Sequence, residues 1–172
     1  MLENEIRSRL LKITALAKDY CILLENAREL EKEEFIANVL NLLPRIYWEF
    51  GDLSADSADS AAEYEYFPSY LDEDYYESIR RNVEAVLGED DVFLETFEED
   101  MKYSDTPIAA SISESLADIF QPLYNFMSVV RESEGENSGA AFRECKENFI
   151  QYWSQTLCNV MRALNHLRYR DA

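Results

Sequence analysis

An all-α fold is predicted for this chain: a helical bundle of two antiparallel long-helix hairpins, joined by an acidic crossover that carries a short helix. Three observations predict it. Only four Gly and four Pro punctuate 172 residues, which favours long helices over a turn-rich β fold. Apolar residues recur at steps of three and four along most of the chain. Hydrophobic content of 47% with 13% aromatics is enough to build a core. The length suits a single domain over 1–172, with 52–74 as a linker or crossover inside it.

Residues 2–26 place Leu2, Ile6, Leu10, Ile13, Ala17, Tyr20 and Leu24 on one face of a helix. No Gly or Pro ends it, so the turn is placed in the charged run 28–34. One unbroken helix to Phe50 would exceed what compact domains use. The second helix, 35–50, carries Ile36, Val39, Leu43, Ile46 and Phe50, and Gly51 closes it. Pro44 cannot bond the Leu40 carbonyl and its ring crowds that turn, so a kink or break is expected there.

The crossover begins with small and acidic residues over 52–62 and then turns aromatic, with Tyr64, Tyr66, Phe67 and Tyr70. Asp74 is the expected cap of a short helix bearing Tyr76, Ile79, Val83 and Val86, stopped by Gly88. Val92, Phe93, Phe97 and Met101 suggest one or two further helical turns in 89–104. Ser111 and Glu114 form a Ser-x-x-Glu capping box for the next long helix, whose stripe is Ile112, Leu116, Ile119, Leu123, Phe126 and Val130. Pro122 should kink it near Asp118.

After a polar turn at 132–139, the last helix spans 140–169. Its stripe is Phe142, Cys145, Phe149, Trp153, Leu157, Val160, Leu164 and Leu167, at steps of three, four, four, four, three, four and three. A second seam, Ile150, Leu157 and Met161, widens the face. At roughly 45 Å this helix is expected to be the spine of the fold.

Acidic residues number 35 against 16 basic, a formal charge of -19. That field opposes nucleic acid and anionic membranes, whose binding needs Lys and Arg. No apolar run reaches the length of a membrane span. The first dozen residues lack a signal core, and the three cysteines sit in helical patterns as buried free thiols do. Cys145 and Cys158 would stand about 20 Å apart on one helix, too far to bridge. A reducing, cytoplasmic location is the expectation.

From Gly88 the chain has a recognisable order of short motifs. Gly88-Glu89-Asp90-Asp91 leads into 92–97, then come Ser115-Leu116-Ala117-Asp118-Ile119-Phe120, then Tyr152-Trp153-Ser154 and Arg162-Ala163-Leu164. Together with Phe35, Leu42-Leu43-Pro44 and Tyr47, these resemble the bacterial domain-of-unknown-function family 5063, over most of the chain except 52–70. Ser154 stands where that family's pattern has Gly, and Pro122 is a departure within the helix. The resemblance implies an all-α fold and carries no activity with it.

Catalytic patterns fail on spacing. His166 is the only histidine, and position 163 is Ala, so no Glu-x-x-His di-iron pair exists. The cysteines lack the close spacing of a zinc site. Arg162 and His166 are one residue too close for the Arg-x4-6-His pattern of helical RNases. Glu31, Glu34, Glu49 and Asp52 match the Glu-x-x-Glu and Glu-x-x-Asp pairs with which all-α pyrophosphohydrolases hold magnesium. One intervening helix would keep those pairs roughly 27 Å apart, whereas ligands of a hard cation must converge.

Two further groups stay open between a site and a structural role. Asp118 and Arg162 would line a cleft, or form an ion pair at the core edge. Tyr64, Tyr66, Phe67, Tyr70, Tyr75 and Tyr76 would dock a partner, or hold down a crossover strap. Trp48 and Trp153 would line a pocket or pack in the core, and at helical spacing the core is the expectation. The function class left standing is a soluble helical protein-interaction module, an adaptor or regulator with a protein partner or a second copy and no cofactor. The alternatives are a metal-dependent hydrolase of a small phosphorylated substrate, and a small-ligand binder with a cavity at the kinked helices.

Overall fold

The computed structural model describes residues 2–51, 67–95, 102–103 and 106–172. The 52–62 stretch, Tyr64, Tyr66, Phe97 and Met101 lie outside the described residues. Helix α1 (Leu2–Glu25) passes through a 3-10 turn (Ala27–Glu29) into α2 (Lys32–Gly51). Helix α3 (Glu73–Leu87) and a second 3-10 turn (Gly88–Asp90) lead to strand β1 (Val92–Glu95). Strand β2 (Ile108–Ser111) runs directly into α4 (Ile112–Glu132). The chain ends in α5 (Ser138–Asn148), a π-helical turn (Phe149–Trp153) and α6 (Ser154–Tyr169).

The two hairpins are there. Arg9, early in α1, hydrogen-bonds the Glu49 carbonyl late in α2, and Cys145 Sγ in α5 meets the Pro122 carbonyl of α4 at 3.7 Å; both contacts need antiparallel arms. The buried residues form one cluster drawn from every helix. Its centre is α4, which packs on α1, α3, α5 and α6. The expected spine, the last helix, touches fewer elements and is an outer arm. A buried bond fixes the first hairpin to this centre: Tyr20 donates its hydroxyl to the Leu116 carbonyl at 2.8 Å. Asn82 of α3 accepts from Arg28 at 2.9 Å and donates to the Glu25 carbonyl at 3.2 Å. It thereby satisfies an end of α1 that has no Gly to close it.

Several expectations need correction. In place of the helical turns expected in 89–104, Val92–Glu95 is strand β1, paired antiparallel with β2, with Val92 opposite Ser111 and Glu95 opposite Ile108. The cap of α3 is Asp72, whose carboxylate accepts from the Tyr75 amide at 2.7 Å, and not Asp74. The capping by Ser111 is as expected, accepting from the Glu114 amide at 3.2 Å. Neither proline breaks its helix. Leu43 and Ile46 flank Pro44, and Leu123 and Phe126 follow Pro122, all buried; that packing holds the turns that the missing N–H weakens.

The last helix is not uniform. Three successive steps of four would carry its stripe roughly 120° around an ideal helix. The π turn absorbs one residue there and returns Phe149, Trp153 and Leu157 to the core. Trp153 is 3% exposed, with Phe50 and Phe149 at 5.0 and 4.6 Å. Ile150, expected on the inner seam, faces out. So does Trp48, at 75% exposure, against the expectation of a core position. Cys21 and Cys145 are buried, while Cys158 is exposed.

Candidate functional site

Asp118 and Arg162 take different partners. Asp118, on α4, accepts a 2.6 Å bond from the Tyr76 hydroxyl of α3. Burial raises the Asp118 carboxyl above its ordinary value, and the Tyr76 hydrogen bond works against that rise. Burial likewise raises the Tyr76 phenol, helped by its bond to Asp118 and by the charges of Asp118, Glu114 and Glu77. Arg162, on α6, donates at 2.7 Å to the Leu94 carbonyl of β1. Next to it, Asn159 donates to the buried Glu95. These bonds clip the β-hairpin onto α6.

The start of α4 is a second polar knot. Asp91 accepts from the Ser113 amide at 2.7 Å, the Ser113 hydroxyl at 2.6 Å and the Ser111 hydroxyl at 3.2 Å. A carboxylate at a helix N-terminus faces the positive end of the dipole, so Asp91 doubles the Ser111 cap. Asp90 binds Arg170 at 2.7 Å and Lys32 at 2.9 Å, joining the ends of α6 and α2. The hydrogen bonds from Arg170 and then Lys32 hold its carboxyl down at about 2.

The described part of the aromatic crossover packs inward. Phe67 rests on the core. Tyr75 sits against Phe120 and Tyr124, with ring centroids at 6.0 and 5.4 Å. The Tyr70 and Leu71 amides both donate to Asn125 Oδ1, at 2.8 and 3.1 Å. Leu71 is buried and Tyr70 stays partly exposed. Asn125 therefore acts as the fastener of a strap.

The carboxylates of the magnesium pattern stay apart. Glu31 lies just before α2, Glu34 is in its first turn and Glu49 in its last, against Arg9 at 3.6 Å; Asp52 lies outside the described residues. Among the described residues, no three His, Cys, Asp or Glu side chains converge on a metal-sized site. His166 points to solvent.

Two concavities accompany the two prolines. Beside Pro122, a cleft of about 270 Å³ is bounded by the strap at Phe67, by Gln121, Asn125 and Phe126 of α4, and by Glu144 and Asn148 of α5. Burial, then the neighbouring Glu147, raises the Glu144 carboxyl. Beside Pro44, a more open groove of about 460 Å³ lies between α1 and α2. Its floor is Ala15, Leu16 and Pro44, its wall is Trp48, and Lys12, Arg45 and Glu49 stand around it. Leu11, one turn before Ala15 on α1, is 67% exposed and extends the apolar surface. Sequence reasoning missed this groove because Trp48 was counted with the core. The available signal was its place about 140° around the helix from Leu43 and about 160° from Phe50.

Fold and sites together define an all-α bundle of two helical hairpins bridged by a strap, a short helix and a small β-hairpin. The chain belongs to a family described as a domain of unknown function, DUF5063, whose model matches residues 4–170. It is similar to the crystal structure of protein BF1032 from Bacteroides fragilis, at 27% identity and a TM-score of 0.78. That match covers 95% of this chain and 94% of the other. No curated protein matches the chain. No described helix is long and apolar enough to cross a membrane.

Proposed function

We propose that this domain works through protein contacts, as an adaptor or regulatory module, and that it docks its partner on the groove between α1 and α2. The observation that carries this reading is Trp48, 75% exposed over an apolar floor of Ala15, Leu16 and Pro44. Tryptophan, tyrosine and arginine are the side chains most enriched at binding hot spots. The test is affinity capture from the native cell with wild-type and Trp48→Ala chains. A protein retained by the first and lost by the second is the expected result. An identical set of captured proteins would remove the groove from consideration.

A second reading has its own support. The cleft beside Pro122 pairs an apolar floor with the amides of Gln121, Asn125 and Asn148, as a pocket for a small polar molecule would. The hydrolase alternative lacks comparable support, because Glu31 and Glu34 lie at the start of α2 and Glu49 at its end.

A further inference from the structure

We infer that the occupant of the α1–α2 groove is an acidic amphipathic helix of a partner protein; this rests on the docking reading above and adds the chemistry of the partner. The chain carries 35 acidic and 16 basic residues, and most of its described cations are engaged by an acceptor. Arg9 meets Glu49, Lys32 and Arg170 meet Asp90, Arg80 and Arg81 meet Glu77, and Arg162 meets the Leu94 carbonyl. Five have no hydrogen bond or ion pair with any described residue: Arg7, Lys12, Lys18, Arg45 and Arg168. Of these, Lys12 and Arg45 come from different helices and border the same groove. Its one carboxylate, Glu49, is already held by Arg9. The apolar floor is therefore bordered by two available positive charges on a strongly negative molecule.

A ligand that fits must present apolar side chains to Leu16, Pro44 and Trp48 and carboxylates to Lys12 and Arg45. The walls of the groove decide its backbone. Both are helices, whose N–H and C=O groups are paired internally apart from the Leu40 carbonyl that Pro44 leaves without its partner, so they offer no ladder to an extended segment. An extended ligand would lay unpaired backbone groups over an apolar floor, whereas a helix arrives with its own satisfied. Apolar positions at i, i+3 or i+4, and i+7 would face the groove, with acids flanking them on either side. The chain's overall charge opposes an acidic ligand at a distance, but screening shortens that field to about 8 Å at physiological ionic strength. Lys12 and Arg45 act at contact.

Trp48 supplies the readout, because the only other tryptophan, Trp153, is buried. The full chain is titrated with three synthetic helical peptides of about 18 residues, long enough to hold a helix. They share one leucine stripe and carry Glu, Gln or Lys on its flanks. The Glu peptide is expected to shift Trp48 emission to the blue, to shield it from acrylamide, and to bind about tenfold more tightly than the Lys peptide. The Trp48→Phe chain should lose the signal. In Lys12→Glu/Arg45→Glu, two exposed substitutions whose fold is checked by circular dichroism, the preference should reverse. Equal binding of the Glu and Lys peptides, or a preference for Lys, would overturn the acidic assignment while leaving the groove as a docking face. If none of the three peptides shields Trp48, the docking reading itself fails with it.

Discussion

Asp90 and Asp118 are two carboxylates whose surroundings push them in opposite directions, and each should leave its own pH signature in a variant. Arg170 and Lys32 hold Asp90 down at about 2. Its contribution is therefore present above the ordinary carboxylate value of about 3.9 and is lost as pH falls through 2. Asp90→Asn is expected to cost about 1 kcal/mol at pH 7, the modest value of a solvent-screened pair. The cost should shrink below about pH 4 and approach zero as pH falls through 2, as read from urea melts across that range. Asp118 is raised by burial, so its protonated form favours the fold and that contribution is lost as pH rises through its native value. Tyr76→Phe removes the hydroxyl that stabilises the anion. The substitution should cost about 1 kcal/mol at neutral pH. The difference between variant and wild type should narrow as pH is lowered to about 4. A penalty independent of pH would mean that Tyr76 acts through packing alone.

At the scale of elements, the π turn makes a prediction that runs against habit. Removing one residue from Phe149–Trp153 changes the stripe's steps from four, four, four to four, three, four, the spacing of an ordinary helix. Deletion of exposed Gln151 should therefore convert the π turn to α-helix and keep the stripe in line. Deletion of exposed Cys158 should rotate the rest of α6 by about 100° and pull Val160 and Leu164 from the core. The first is expected to shift Tm by a few degrees and the second to unfold the domain, as followed by circular dichroism. The same run of steps shows what could be read beforehand. Periodicity located every long helix, since burial of a stripe is a local pattern. It misread 89–104, where Val92 and Phe93 pair with β2 partners that the sequence places elsewhere. It separated Asp118 from Tyr76, which tertiary packing joins across α3 and α4. Capping at Ser111 was legible because its partner, Glu114, is three residues away. Arg162 was named from motif order alone, and only the folded hairpin puts the Leu94 carbonyl before it.

For the molecule as a whole, charge is the widest-ranging force. With a formal charge of -19, self-repulsion opposes the compact state, and salt screens it. Raising sodium chloride from about 20 mM to about 500 mM should raise Tm by several degrees, as followed by scanning calorimetry. The ion pairs at Asp90 and Glu77 weaken over the same range, so a falling Tm would show that local pairs outweigh the global field.

The bond from Tyr20 to the Leu116 carbonyl joins residues 96 positions apart. During synthesis at roughly 5–20 residues per second, α1 therefore leaves the ribosome about 5–20 s before the helix that covers it exists. For that interval the face around Tyr20 has α2 and then α3 beside it, but not α4. The first hairpin thus waits with an unfinished apolar face, and a ribosome stalled before α4 would leave a nascent chain whose N-terminal half cannot finish its own core.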